Sequence, residues 1–189
     1  LIVMPIAING SGSITGISAG GLPDGCVTAD DLASGVGGKI LQVVQATSDS
    51  KVSTTSSSYV DTPLSQAITP TATSNKILIR FKISASTNNG TNLIGFQIVR
   101  GSTAIGNGSQ GSSRRFCHSA FRGQFSDSHP HAVISGEFLD SPSTTSATTY
   151  KIQFQVDGNT GFINRDNTDN DGVNYPSPLS TLTLMEVSA

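Results

Sequence analysis

The chain has 189 residues and a mass of 19.5 kDa, enough for one ordinary domain with an appendage and too little for two full-sized ones. Charged residues are 13% of it, the formal net charge is −2 and the pI is near 5.8, so there is no long-range field to hold a polyanion and no nucleic-acid partner is expected. Trp is absent, Glu stands only at positions 137 and 186, and Ser and Thr fill 48 positions, a composition that suits pleated strands and argues against a helical protein.

The chain opens on its longest apolar run, residues 1–8, which Pro5 interrupts. The run falls well short of the roughly 20 residues a spanning helix needs, so no membrane partner is expected. It also lacks the basic flank and small-residue cleavage site of a secretory signal. Met4 reads as the native start, with Leu1 to Val3 lying ahead of it. Residues 4–38 carry nine glycines and only scattered apolar side chains, among them Ile14, Ile17, Leu22, Val27 and Leu32. So thin an apolar supply does not offset the entropy of ordering the backbone, and residues 1–38 read as an extended arm ordered by a partner. Within it Thr28 and Asp31 make a capping-box-like start and Gly35 a stop, framing a helix of one or two turns that needs neighbouring copies to persist.

From Lys39 the pattern changes to period two, and residues 39–189 read as one all-β domain. In residues 76–85 Ile77, Ile79, Phe81 and Ile83 alternate with Arg80, Lys82 and Ser84; in residues 150–156 Tyr150, Ile152, Phe154 and Val156 alternate with Lys151, Gln153 and Gln155. Further strands are expected over residues 40–46, 64–68, 93–99, 115–123, 132–139, 161–164 and 179–187. Turn-forming clusters such as Asn88-Asn89-Gly90, Asp157-Gly158-Asn159 and Asp140-Ser141-Pro142 separate them. Strands so spaced, with no helical pattern between them, predict a jelly-roll-like antiparallel β-sandwich. The first and last strands are apolar on both faces: Leu41 and Val43 oppose Ile40 and Val44, while Leu182 and Leu184 oppose Leu179, Met185 and Val187. A two-layer sandwich leaves one face wet, so a further cover is expected, either other subunits or the arm or a loop of the same chain.

Certain phrases carry a resemblance. They are Ile8-Asn9-Gly10-Ser11-Gly12, Gly20-Gly21-Leu22-Pro23-Asp24-Gly25 and Val27-Thr28-Ala29-Asp30-Asp31-Leu32-Ala33 in the arm, then Lys39-Ile40-Leu41-Gln42-Val43-Val44-Gln45, Tyr59-Val60-Asp61-Thr62, Ile68-Thr69-Pro70, Ser74-Asn75-Lys76-Ile77-Leu78-Ile79 and Ser180-Thr181-Leu182-Thr183-Leu184-Met185-Glu186-Val187 in the body. The chain resembles tail-fibre-like virion proteins of marine and cyanobacterial bacteriophages. That resemblance implies a homotrimer on the virion, assembled in the host bacterial cytoplasm. Its amino-terminal arm would bind tail or capsid subunits and its outward β-domain a host surface glycan or protein. The chain departs from long fibres in lacking a shaft repeat, which suits a short tail fibre or, alternatively, a capsid decoration or head-fibre protein that stabilises the shell.

Few residues suggest chemistry. His129 and His131 at alternate positions would offer six nitrogens to a metal on a threefold axis, but Asp127, Ser128 and Pro130 favour a surface loop. Asn167-Thr168-Asp169-Asn170-Asp171-Gly172 matches the first half of a calcium loop, with Asp166 as an extra oxygen donor. Pro178 occupies the place of the closing bidentate acid, so a polar turn is the better reading. Arg114, Arg115, His118 and Arg122 form a basic cluster suited to an acidic glycan, a neighbouring subunit or solvent. Glu137, Glu186, Asp61, Asp140 and Asp157 do not make an evident carboxyl pair, no phosphate loop is present, and Gly16-Ile17-Ser18-Ala19-Gly20 has the Gly-x-Ser-x-Gly spelling but lies in the glycine-rich arm with no strand ahead of it to form a strained elbow, so no enzyme, cofactor or catalytic residue is expected. Cys26 and Cys117, far apart in unlike segments, read as free thiols. The expected contact loops are residues 87–92, 106–113 and 164–175, chosen for length and polarity.

Overall fold

The computed structural model describes residues 39–109, 111–123 and 131–189. The arm, its short helix, Cys26 and His129 lie outside the described residues. Eleven strands are described, and no helix is found among the described residues: β1 (Ile40–Ser48), β2 (Val52–Thr54), β3 (Val60–Ile68), β4 (Lys76–Thr87), β5 (Leu93–Arg100), β6 (Thr103–Ile105), β7 (Ser119–Arg122), β8 (His131–Asp140), β9 (Thr148–Val156), β10 (Gly161–Ile163) and β11 (Ser180–Val187). Each strand expected from the sequence forms, with shifted ends. The two that the pattern does not reveal, β2 and β6, are three residues long, too short for alternation to register.

The first sheet is ordered β1-β11-β4-β10-β2 with β8 on the far side of β4; the second is β3-β9-β5-β6 with β7 also on β5. Because β10 and β11 follow one another along the same edge of β4, and β6 and β7 along the same edge of β5, each sheet is four strands wide. The longer strands β1, β3, β4, β5, β8, β9 and β11 alternate between the sheets except where β7 follows β5. This gives the orders β1-β11-β4-β8 and β3-β9-β5-β7 of a jelly roll. All pairings are antiparallel.

The core is what the alternation predicts. Ile77, Ile79, Phe81, Ile83 and Ala85 of β4 meet Ile94, Phe96 and Ile98 of β5 and Tyr150, Ile152, Phe154 and Val156 of β9, with Leu182 and Leu184 of β11 closing the layer. The Phe96 and Phe154 rings stack at 6.4 Å. Burying side chains of this size stabilises the domain by about 1.5–3 kcal/mol each, and that drives the two sheets together.

Two carboxylates break the apolar pattern, and both lie beside Ile77. Glu186 on β11 and Asp140 on β8 are its register partners on either side. Asp140 accepts two hydrogen bonds from Arg100 Nη1, both at 2.9 Å, and one from the Tyr150 hydroxyl at 2.7 Å, so it links β8 of one sheet to β5 and β9 of the other. Burial, then the carboxylate itself, pushes the Tyr150 phenol well above its ordinary range and keeps it a donor. Glu186 accepts from Gln42 Nε2 at 2.6 Å, Asn75 Nδ2 at 2.6 Å, and Thr71 N and Oγ1 at 2.7 and 2.8 Å. Burial alone would raise its pKa; these donors outweigh burial and hold it at about 2.

A folded-state pKa below the unfolded value contributes stability above the unfolded pKa that is lost as pH falls through the folded one. The denaturant midpoint should therefore drop between pH 4.5 and about 2. Glu186→Gln should be less stable at neutral pH and should flatten that acid limb, as urea titrations at stepped pH would measure; an unchanged limb would show that this carboxylate is not linked to folding.

Candidate functional site

Two places hold most of the residues that the sequence singles out, and their geometry differs sharply. The first is the outer face of the second sheet. There the side chains form a chain of hydrogen bonds: Lys151 Nζ and Gln153 Nε2 donate to Asp61 at 2.9 and 2.7 Å, Gln97 Nε2 donates to Gln153 Oε1 at 2.7 Å, and Asn107 Nδ2 reaches Gln97 Oε1 at 3.4 Å. These contacts draw the pKa of Asp61 below its ordinary value, against the opposing effect of burial. Residues 106–109 and 111–118 run over this face. Gly106 starts them at φ +64° with its Cα against the Phe138 ring, where a Cβ would sit 2.7 Å from that ring, and the Tyr59 hydroxyl donates to the carbonyl of Phe116. Burial raises the Tyr59 phenol to about 12.

This overlay corrects the strand expected over residues 115–123, of which only Ser119–Arg122 joins the ladder; Arg115 to Cys117 are spent covering the amides. It also disperses the basic cluster. Arg115 Nη1 donates to Gln155 at 3.2 Å, Arg122 Nε to the carbonyl of Thr91 at 3.0 Å, and His118 tilts against Phe81 with Nδ1 2.7 Å from the carbonyl of Gly106, while Arg114 is exposed. Cys117 is a free thiol whose pKa burial raises.

The acidic residues also go separate ways. Glu137 faces outward from β8 with Arg80 Nε at 3.4 Å, Glu186 faces inward, and Asp157 accepts from Leu93 N at 2.7 Å. They do not face one another across a cleft.

The second place is the long connection from β10 to β11, residues 164–179, at the end of the sandwich where β1 finishes. Asn164 anchors it. This residue is fully buried at φ +59°; its Nδ2 donates to the carbonyls of Ser48 and Ser50 at 2.9 and 3.1 Å, and its Oδ1 accepts from Ser180 Oγ. Asp166 then closes a tight turn by accepting from Thr168 N, Thr168 Oγ1 and Asp169 N at 3.2, 2.8 and 2.7 Å. Asp169 pairs with Lys51 Nζ at 2.7 Å and Arg165 Nη1 at 3.6 Å, and the Arg165 guanidinium lies 4.6 Å above the Phe162 ring. The carboxylates of Asp166 and Asp169 in the calcium-like segment are thus engaged by amide, hydroxyl, ammonium and guanidinium donors. Among the described residues no group of three or more His, Cys, Asp or Glu side chains converges as a metal site.

Two adjoining cavities open on this connection. One, of about 490 Å³, is lined by His131, Asp166, Asn174, Tyr175 and Pro176. The other, of about 250 Å³, shares Asp166, Tyr175 and Pro176 and adds Lys51, Asp169, Asn170, Asp171 and Ser177. His131, the first residue of β8, has Nε2 2.7 Å from Ser84 Oγ, and burial lowers its pKa against the opposing pull of Asp166. The cleft therefore has a neutral imidazole, an aromatic ring, a proline and several amide and hydroxyl groups on its walls. Sequence reasoning placed the loop here but did not foresee its closure onto His131 or Lys51, since neither partner is near it in the chain.

No protein-family model matches the chain, and no curated protein is significantly similar to it. Among solved structures, the chain is similar to a chain in the structure of infectious bursal disease virus, Gt strain, with a TM-score of 0.43 and 15% identity. That alignment covers 78% of this chain and 38% of the viral one, so the chain spans well under half of its neighbour's length.

Asn164 offers a direct test of this end of the fold. Asn164→Ala loses three hydrogen bonds and strains a left-handed backbone, and should destabilise the domain by about 2–4 kcal/mol. Asn164→Gly keeps the backbone conformation and should recover part of that loss, as the difference between the two chemical denaturation curves would report.

Proposed function

We propose that the chain is a non-enzymatic virion surface protein of a bacteriophage. In this reading it is a short trimeric tail fibre, held to the particle by residues 1–38 and meeting the host surface through the β-domain. The observation that carries the reading is the state of the cleft. Its buried acid Asp166 and the neighbouring Asp169 are engaged by groups of their own chain, and His131 is held on Ser84, so the walls are set for contact instead of proton transfer. The sequence phrases quoted above supply the virion setting. Tyr175, Pro176 and Asn174 at the mouth suit a hydroxyl-rich ligand such as a host surface glycan, with a ring to lie against and amides to hydrogen-bond. Tethering three such clefts on one particle multiplies a weak single-site affinity without any new contact.

Gold-labelled antibody against the chain should decorate the tail in electron micrographs of particles; label spread evenly over the capsid would favour shell decoration, and unlabelled particles would refute both. Tyr175→Ala should leave particle number unchanged and reduce adsorption to host cells several-fold, scored as free phage remaining after mixing; undiminished adsorption would remove the cleft from the attachment surface.

A further inference from the structure

The cleft lies at one end of the outer face of the first sheet, and a line of positive charge leads away from it. Ile77, Ile79, Phe81 and Ile83 of β4 face the core, so Lys76, Leu78, Arg80, Lys82 and Ser84 face outward, at intervals of about 7 Å along the strand. Ser84 is buried beside the cleft, its Oγ 2.7 Å from Nε2 of the cleft residue His131. Lys82 stands one interval further along and Arg80 two. Over them opens a hollow of about 310 Å³, lined by Arg80, Lys82, Ser135, Thr181, Thr183 and Met185 among others. Beyond Arg80 comes an apolar row, Val43, Met185, Leu78 and Leu139 side by side across the four strands, and beyond that Lys76.

The charges on this face are unequal. Lys76, Arg80 and Lys82 stand against Glu137 alone, on a chain whose formal net charge is −2. Glu137 lies 3.4 Å from Arg80 Nε; among the described residues neither Lys76 nor Lys82 has an acidic partner. By contrast, Arg115, His118 and Arg122 of the cluster that the sequence suggested for acidic ligands are spent on contacts within the chain.

We infer that the cleft and this line form one binding track whose ligand is an acidic polysaccharide. The inference rests on the attachment reading above and names the class of glycan. A neutral unit of the chain lies in the cleft against Tyr175; the carboxylate or sulfate groups of the units that follow meet Lys82 and Arg80, and Ser135, Thr181 and Thr183 face the sugar hydroxyls. The acids near the cleft do not oppose this path. Asp166 is held by the Thr168 and Asp169 amides and Asp169 by Lys51 and Arg165, while Asp171 lines only the smaller cavity, which His131 does not reach. An extended acidic peptide fits less well: β4 pairs with β11 and β8 along this stretch, so it offers no free ladder groups and recognition falls to side chains.

Affinity electrophoresis of the full chain in native gels cast with polygalacturonate, dextran sulfate or uncharged dextran tests this. At least one acidic polymer should shift the chain's migration where uncharged dextran does not, and added salt should weaken the effect. Lys82→Glu and Arg80→Gln should each lower the apparent affinity at least about threefold, the loss of one charge contact. Tyr175→Ala should lower it for the same polymer, whereas Arg114→Glu, at an exposed position over the other sheet, should leave it unchanged. Circular dichroism melts should show the Lys82 and Arg80 variants folded, since both side chains are exposed on a strand surface. No shift with either acidic polymer, an equal shift with uncharged dextran, or a stronger one with duplex DNA would overturn the inference. So would binding that survives Lys82→Glu and Arg80→Gln, or that ignores Tyr175→Ala and so separates the line from the cleft. Host adsorption that needs Tyr175 but neither Lys82 nor Arg80 would keep the attachment reading and discard the track; the particle-labelling result stands apart from both.

Discussion

The register of β4 against its two neighbours is the constraint from which the rest of the domain follows. With Ile77 between Glu186 and Asp140, one row of the sheet turns two carboxylates inward, and the row beside it turns Val43, Met185, Leu78 and Leu139 outward. Side chains alternate with period two, so a slip of one residue would send the acids to solvent and the leucines into the core, stripping Glu186 and Asp140 of every donor they now have. Apolar burial favours the observed pairing too, since the slip would also turn Ile77, Ile79, Phe81, Leu182 and Leu184 out of the core. The donors on Gln42, Thr71, Asn75, Arg100 and Tyr150 add to that preference.

The same logic of satisfied polar groups shapes the remaining surface. A jelly roll has two outer faces, and here they are treated differently. On the second sheet the face is an amide ladder from Asp61 to Asn107, covered by residues 106–109 and 111–118 of its own chain. On the first the described residues leave an apolar row and shallow hollows uncovered. A buried amide left without a partner costs free energy, so a cover over the ladder has to hydrogen-bond back, and the overlying segment does so with the Asn107 amide on Gln97 and the Arg115 guanidinium on Gln155. Apolar side chains make no such demand.

Much of this was legible in the sequence because strands declare themselves through alternation. β4 and β9, with four and more inward apolar residues each, could hardly be read otherwise, and the closing strand was found although Glu186 interrupts its apolar set. What stayed hidden was long-range. Asp140 read as a turn former beside Pro142, since nothing in the local pattern says that Tyr150 and Arg100 will converge on it. Gln153 and Gln155 read as a wet face and are in fact largely covered, because residues 106–109 and 111–118, part of what read as an exposed contact loop running into a strand, lie across them. Asn164 read as the end of a strand; its left-handed backbone and its grip on Ser48 and Ser50, more than a hundred residues away, are visible only in three dimensions. Of the cleft, the loop was legible and the wall was not.

β1 has one more property. The chain enters it at Lys39, its ladder with β11 runs from Ile40 to Ser48, and Asn164 grips the backbone just past its end. A pull applied to residues 1–38 and resisted at the cleft would therefore travel lengthwise along β1, loading its rungs in parallel and not peeling them one after another. Antiparallel rungs perpendicular to the strand resist such sliding together. A domain attached in this way would hold longest against drag directed along that strand.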